Sequence, residues 1–264
     1  MTSSRILGTV LEEVPLAEGN VTGGVVRVGD TVRRPAGPWT PAVHALLAHL
    51  NDVGFPAAPR PLGLDERGRE VLTFVPGTTV WPDRFAEVGP RARLEKVGRL
   101  IRDLHDAVAG FTPAPDARWH VVIPPEDDGR GEIIAHHDLA PWNLVVDGEA
   151  WTFIDWDGAG PGSRLWDLAY AAKAFVPLSA DPALQRPDAA ARLRVLADAY
   201  GLDEEQRRRL APMLARRSRA MYELLATGTG PWARLWAKGH GEVWQADTAY
   251  IARHEADWLT ALLA

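Results

Sequence analysis

Residues 135–160, "AHHDLAPWNLVVDGEAWTFIDWDGAG", decide how the rest of the chain is read. Two apolar runs flank Asp147-Gly148, a dipeptide suited to a tight turn, so the stretch predicts strand, turn, strand. A hairpin of that length folds Asp155 back beside Asn143. Asn143 closes the pattern H-x-D-x-x-x-x-N, which begins at His136 and contains Asp138. One anionic and one neutral oxygen side by side suit Mg2+, which takes few protein ligands and leaves positions for phosphate oxygens and water. Asp138, five residues before Asn143, stands near that pair without having to bind the ion. A free carboxylate there can accept the proton of an attacking hydroxyl and hold that hydroxyl in line. The alternative is a polar turn region that only caps strands.

Upstream of this island the first third of the chain reads as strands and hairpins. "VVRVGDTVRR" (25–34) carries two β-branched runs around Gly29-Asp30, and "RPLGL" and "EVLTFV" read as two more short strands joined by Asp65 to Arg69. Between these pairs Thr40 can cap a helix and Pro41 fits its first turn, with Val43, Leu46, Leu47 and Leu50 at helical spacing and Gly54 and Pro56 ending it. After "VPG" at 75–77 the character changes. Residues 91–109 place Leu94, Val97, Ile101, Leu104 and Val108 along one stripe. Beyond Ser163 the pattern is helical over 164–175, about 188–200, about 203–226 and 241–263. The boundary between a sheet-rich part and a larger helical part is expected at 73–78.

Composition narrows the function. The 264 residues, 46% hydrophobic and 24% charged, suffice for a real core. There is no cysteine, which excludes disulfides and thiolate metal sites. No apolar stretch reaches the ~18 residues of a membrane span, and the N-terminus has acids at 12 and 13 and no apolar signal region. A cytoplasmic protein with no membrane partner is expected. A formal net charge of −6 disfavours nucleic acid as a partner. It would suit a cationic small substrate.

Asp138 and Asn143 share the spacing of the protein-kinase catalytic loop, with Asp155 at the place of the kinase metal-binding aspartate. More closely, "HHDLAPWNLVV", "FIDWDGAGPGSRLWDLAYA" and "VGRLIRDLHDA" (97–107) resemble the aminoglycoside phosphotransferase family. That family is a branch of the protein-kinase-like fold and includes antibiotic kinases and kinases for choline, homoserine and fructosamine. The resemblance implies a bilobal α+β fold. A small antiparallel-sheet lobe with one helix (1–75) would bind nucleotide, and a mainly helical lobe (76–264) would hold the catalytic loop and substrate site. It also implies ATP or GTP as co-substrate with Mg2+ held by Asn143 and Asp155, and Asp138 as catalytic base. "NVTGG" (20–24), with Gly23 and Gly24, would cover the phosphates. Arg33 would be the basic residue of the third strand that pairs with them. Thr73, Phe74 and Val75 would form the hinge that reads the base. There is one departure: the family places a glutamate on the following helix to anchor the basic residue, but Val43 and His44 stand there and the helix has no acid before Asp52. Either His44 or another acid does that work.

Several other residues are candidates. His136 and His105 are expected as buried, hydrogen-bonded braces, and Asp167 as a structural anchor. His137 and Asp157 are candidates to touch substrate. Glu223, Glu242, Asp247 and Glu255 could draw amines of a cationic substrate, and Trp232, Trp236 and Trp244 could line its wall. The run "RRSR" (216–219) reads as a solvated helix face. The leading expectation is a kinase acting on an aminoglycoside or other hydroxylated antibiotic. A metabolite kinase of the same fold and a non-catalytic nucleotide-binding pseudokinase are the alternatives. A His-Asp phosphohydrolase is disfavoured, because that site needs a helical scaffold and the flanks of Asp138 are strand-like.

Overall fold

Around Gly29-Asp30 the chain turns as its β-branched pattern requires. In the computed structural model, which describes residues 12–16, 23–126 and 131–264, β1 (Glu13–Pro15), β2 (Val26–Val28) and β3 (Thr31–Arg34) pair antiparallel. Val28 lies opposite Thr31, and Gly29 sits at φ 57°, a conformation that glycine adopts at little steric cost. Helix α1 (Thr40–Asp52) follows, then β4 (Pro61–Leu64) and β5 (Glu70–Thr73). The sheet order β1-β2-β3-β5-β4 puts β5 beside β3, with Arg34 paired to Glu70 and Arg33 to Val71. Val43, Leu46, Leu47 and Leu50 form the buried stripe of α1. Thr40 is the first helical residue rather than the cap. Trp39 precedes it, and the Thr40 hydroxyl accepts from the Gly37 N–H at 2.9 Å.

Helix α2 (Arg91–Val108) buries Leu94, Val97, Ile101, Leu104 and Val108, the expected stripe. Gly98 on the same face lets α4 (Ala189–Tyr200) close in: a Cβ there would stand 2.8 Å from Ala199 Cβ and 2.9 Å from the Leu196 carbonyl. Five short strands follow the same logic of close approach. β6 (Thr78–Thr79), β8 (Leu144–Asp147) and β9 (Ala150–Phe153) form one antiparallel sheet, and β7 (Ile133–Ala135) pairs with β10 (Gly160–Gly162). β8 and β9 are the expected hairpin, with Leu144 opposite Phe153 and Asp147 opposite Ala150.

The remainder is helical. α3 (Arg164–Phe175) is capped by the Ser163 hydroxyl, which accepts from Trp166 N at 3.1 Å. α5 (Glu204–Thr227) begins with a reciprocal Asp203/Gln206 capping box. The end of the chain departs from expectation. In place of one helix over 241–263 there are α7 (His240–Arg253) and α8 (Glu255–Leu263), preceded by a short α6 (Pro231–Ala237) that was not expected. Gly230 and Gly239, at φ 59° and 84°, mark the starts of α6 and α7. The break at His254 has no glycine or proline; there the Trp258 indole N–H donates to the Ile251 carbonyl at 3.0 Å. One apolar cluster runs from Val43 and Leu72 through α2 and α3 to Trp258 and Leu262. Among the described residues no helix is long and apolar enough to cross a membrane.

Candidate active site

The loop between β7 and β8 is held from beneath by one carboxylate. Asp167, fully buried on α3, accepts from His136 N at 3.0 Å and His137 N at 2.9 Å, and lies 3.2 Å from His105 Nε2. Burial works against its charge, but the His105 hydrogen bond and the neighbouring imidazoles outweigh it and hold Asp167 at about 2. With its backbone fixed in this way, His137 adopts φ 66°, rare for a residue with a side chain. His136 is a brace as expected. Its Nε2 donates to Ile154 O at 3.2 Å and its Nδ1 accepts from Asp138 N at 3.3 Å, so the ring is neutral, in keeping with the downward push of burial on its pKa. His137 is also turned inward, with Nε2 donating to Gly160 O at 3.2 Å and only 7% of the residue exposed. The expectation that it meets substrate is corrected by that placement.

Asp138 projects from this braced loop. Its carboxylate accepts from Asn143 Nδ2 at 2.8 Å and from the Tyr170 hydroxyl, and the same Asn143 nitrogen also donates to the Asp138 carbonyl at 3.0 Å. The residue keeps some contact with solvent, but its carboxyl is surrounded by protein. Burial, and then the charge of Asp155, push it up to about 7 against the pull of those two hydrogen bonds. Asp155 returns on the hairpin: Ile154 N donates to Asn143 O at 2.9 Å, and Asp155 takes φ 63° with its side chain 44% exposed. The three residues singled out by sequence thus occupy one corner, where the loop and the end of β9 meet.

The basic residue in this corner is Arg34. Its Nη2 lies 3.1 Å from Asp155 Oδ1 and donates to Asp157 as well, and its Nε lies 3.4 Å from Glu70 Oε2. Arg33, the expected residue, points to the other side of β3 and pairs with Asp65 at 3.2 Å, which corrects the assignment by one strand position. The sequence held the signal: Arg34 shares parity with Val32, the apolar residue of the strand.

The phosphotransferase enzyme family, APH, matches residues 25–121 and 113–213, which include β3, the braced loop and α3. The chain belongs to this family. It is 36% identical over 206 residues to the trifolitoxin immunity protein of Rhizobium leguminosarum bv. trifolii, covering 74% of this chain and 77% of that protein. Two solved structures share its fold. A choline/ethanolamine kinase family protein from Mesorhizobium loti has a TM-score of 0.59 at 17% identity, covering 96% of this chain and 92% of that one. An amicoumacin kinase in complex with AMP-PNP, Ca2+ and Ami has a TM-score of 0.60 at 12% identity, covering 88% of each chain. The fold is therefore that of these kinases, and the chain is a phosphotransferase, for which the family resemblance implies a divalent ion.

The phosphotransferase's own donor set fits such an ion. Both hydrogens of the Asn143 amide are committed to Asp138, so its carbonyl oxygen is the atom left to act as a ligand. Asp155 supplies the exposed carboxylate. Three acids, Glu70, Asp155 and Asp157, surround the single guanidinium of Arg34, an excess of negative charge that a cation would relieve. Among the described residues no three His, Asp or Glu side chains form a closed cage; a two-ligand site open to phosphate suits Mg2+.

The remaining candidates lie in varied places. Gly24, at φ 76°, and Gly23 lead into β2, while Asn20, Val21 and Thr22 lie outside the described residues. Thr73 N donates to Arg60 O at 3.0 Å and Phe74 N to Asp30 O at 2.8 Å. Among the described residues Val75 is the hinge candidate whose amide is not committed in this way. Trp232 packs over Gly228 on α6 and Glu242 is exposed in the first turn of α7. Among the described residues no hydrogen bond or ion pair joins either to Asp138, Asn143 or Asp155. Asp247 is buried and holds Lys173 at 2.8 Å and the Ser179 hydroxyl at 2.8 Å, so it is not free to draw an amine.

Two contributions were not read from sequence. Tyr170 sits against Asp138 with its ring stacked on Trp244, one of the tryptophans named as wall candidates, and edge-on to Trp142, which was not named. Arg217, inside the run read as solvated, is 2% exposed; its Nη2 donates to His137 O at 3.1 Å and its guanidinium lies 4.4 Å from the Tyr170 ring. Arg216 and Arg219 on the same helix are exposed but Ser218 is buried like Arg217, so only half of the run is a solvated face. Asp157, also a substrate candidate, is committed to Arg34.

Proposed function

We propose that this phosphotransferase moves the γ-phosphate of ATP or GTP to a hydroxyl of an antibiotic or similar hydroxylated natural product, with Asp138 as the base. The observation that carries the reading is the corner built by Asp138, Asn143 and Asp155. It combines a buried, oriented carboxylate with an amide oxygen and a second carboxylate at the end of one hairpin. Asn143 and Asp155 would hold Mg2+, which when bound supplies neutralisation of charge on the phosphate oxygens. Asp138 accepts the acceptor's hydroxyl proton as the new O–P bond forms and the bond to the β-phosphate oxygen breaks. Tyr170 and Asn143 hold that carboxylate in one orientation, so little reorganisation accompanies the step. Asp167 and His136 keep the loop from shifting, and Arg34 offers a charged fork to phosphate. Asp138 at about 7 describes a site without a cation; a divalent ion beside it favours the carboxylate and lowers that value.

The antibiotic side of the reading draws on the similarity to a protein named for immunity to trifolitoxin, and on the amicoumacin kinase among the structures of the same fold. The test is a panel of antibiotics and hydroxylated metabolites, with ATP and GTP in parallel, followed by release of ADP or GDP. Turnover with an antibiotic and none with choline or ethanolamine supports the proposal. Turnover confined to a small metabolite alcohol replaces it with a metabolite kinase. Nucleotide binding without turnover on any acceptor, together with Asp138→Ala behaving as the parent, would make the chain a nucleotide-binding protein only.

A further inference from the structure

The sequence lacks the helix glutamate that anchors the basic strand residue in this family, and the structure shows what stands in its place. Glu70 on β5 is 2% exposed and lies directly across the β3–β5 pair from Arg34. Its Oε2 is 3.4 Å from Arg34 Nε, and its Oε1 is 2.9 Å from Nε2 of His44 on α1. His44 stands at one of the two helix positions where the acid was expected, but it touches the carboxylate rather than the guanidinium. The acid has moved from helix to strand, and the helix now contributes an imidazole that touches it.

Charge explains why this arrangement is self-consistent. Arg34 already faces Asp155 and Asp157. Asp155 is a candidate ion ligand, and Asp157, 19% exposed at its side chain, lies two residues later on the same turn. A further acid on α1 would place a fourth carboxylate around one guanidinium, and like charges that crowd a buried site raise its cost. Glu70 faces Arg34 with one oxygen and His44 with the other, and belongs to a strand hydrogen-bonded to the strand of Arg34. Resting on the proposed kinase reading, we infer that Glu70 is the positioning residue that aims Arg34 at the nucleotide phosphates, and that His44 couples that pair to α1.

The experiment measures the affinity of the purified full chain for Mg2+ with ATP or GTP, and for the matching nucleoside without phosphates. Glu70→Gln is expected to weaken triphosphate binding about tenfold, the scale of one close buried charge pair, and to leave nucleoside binding unchanged. Adding His44→Glu to that variant returns an acid to the helix and is expected to restore part of the loss. His44→Ala is expected to weaken triphosphate binding several-fold, and His44→Gln, which keeps a donor to Glu70, to do so less. These His44 variants give the same comparison if Glu70→Gln does not fold. Triphosphate affinity equal to the parent's in Glu70→Gln, or in His44→Ala, overturns the inference. So does an equal loss of triphosphate and nucleoside, which marks a purely structural role. A parent that binds neither nucleotide overturns the kinase reading itself, an outcome visible before any variant is made.

Discussion

Removal of the Asp167 carboxylate is the severest single perturbation that the loop architecture forecasts. Asp167→Ala strips the acceptor from two backbone N–H groups, His136 at 3.0 Å and His137 at 2.9 Å, and from His105 at 3.2 Å. His105 retains Tyr200 at 2.8 Å on its other nitrogen and can change tautomer; the two backbone donors have no such recourse. A buried donor left without a partner costs about 1–3 kcal/mol, so the two amides alone imply about 2–6 kcal/mol. Loss of a buried charge that its surroundings hold in place falls in the range of about 3–5 kcal/mol. The expected destabilisation is therefore about 4 kcal/mol, a large part of a typical domain's about 5–15 kcal/mol. Urea unfolding followed by tryptophan fluorescence reads it as a lower midpoint at unchanged slope. Glu205→Ala on the exposed first turn of α5 serves as the reference and stays within about 0.5 kcal/mol of the parent. If Asp167→Ala falls within about 1 kcal/mol of the parent, the claim that this carboxylate holds the loop is wrong.

Acid should find the same group. Asp167 lies at about 2 when folded against an ordinary value of 3.8, so its stabilisation is fully present above the unfolded value and fades as pH falls from 3.8 toward 2. Stability followed through that window should drop less steeply in Asp167→Asn than in the parent, and equal slopes would remove Asp167 from the explanation. Arg34→Met should lower affinity for nucleotide triphosphate at least about tenfold, whereas Arg33→Met, which loses only a partly exposed pair with Asp65, should change it less than about twofold; the reverse order in a calorimetric titration would reinstate Arg33. Gly98→Val should cost about 1–3 kcal/mol in thermal or urea unfolding by forcing α2 from α4, and a neutral result would mean the helices are not in the close contact described.

How much of this was legible in the sequence follows from what each residue's signal depends on. The β8–β9 hairpin needed only local information, apolar runs around Asp147-Gly148, and the α1 and α2 stripes needed only their own periodicity. Asp138, Asn143 and Asp155 could be placed because one loop and one hairpin determine their spacing. Arg34 depended on strand parity, which Val32 offered and the choice of Arg33 overlooked. Glu70, Tyr170 and Arg217 were out of reach for a different reason. Each acts on a residue more than 30 positions away, as Glu70 does on Arg34, Tyr170 on Asp138 and Arg217 on the His137 carbonyl, and no local pattern encodes such a contact. The break at His254 likewise falls inside an otherwise continuous helical pattern, with neither glycine nor proline to mark it.

The central claim is that Asn143 and Asp155 hold a divalent ion for nucleotide while Asp138 stands ready as base. Its most direct test is the affinity for ATP and GTP with and without Mg2+, in the parent and in Asp155→Ala. The account predicts a parent that binds markedly tighter with the ion and a variant in which that gain is gone. Equal affinity in the parent with and without Mg2+ would contradict it.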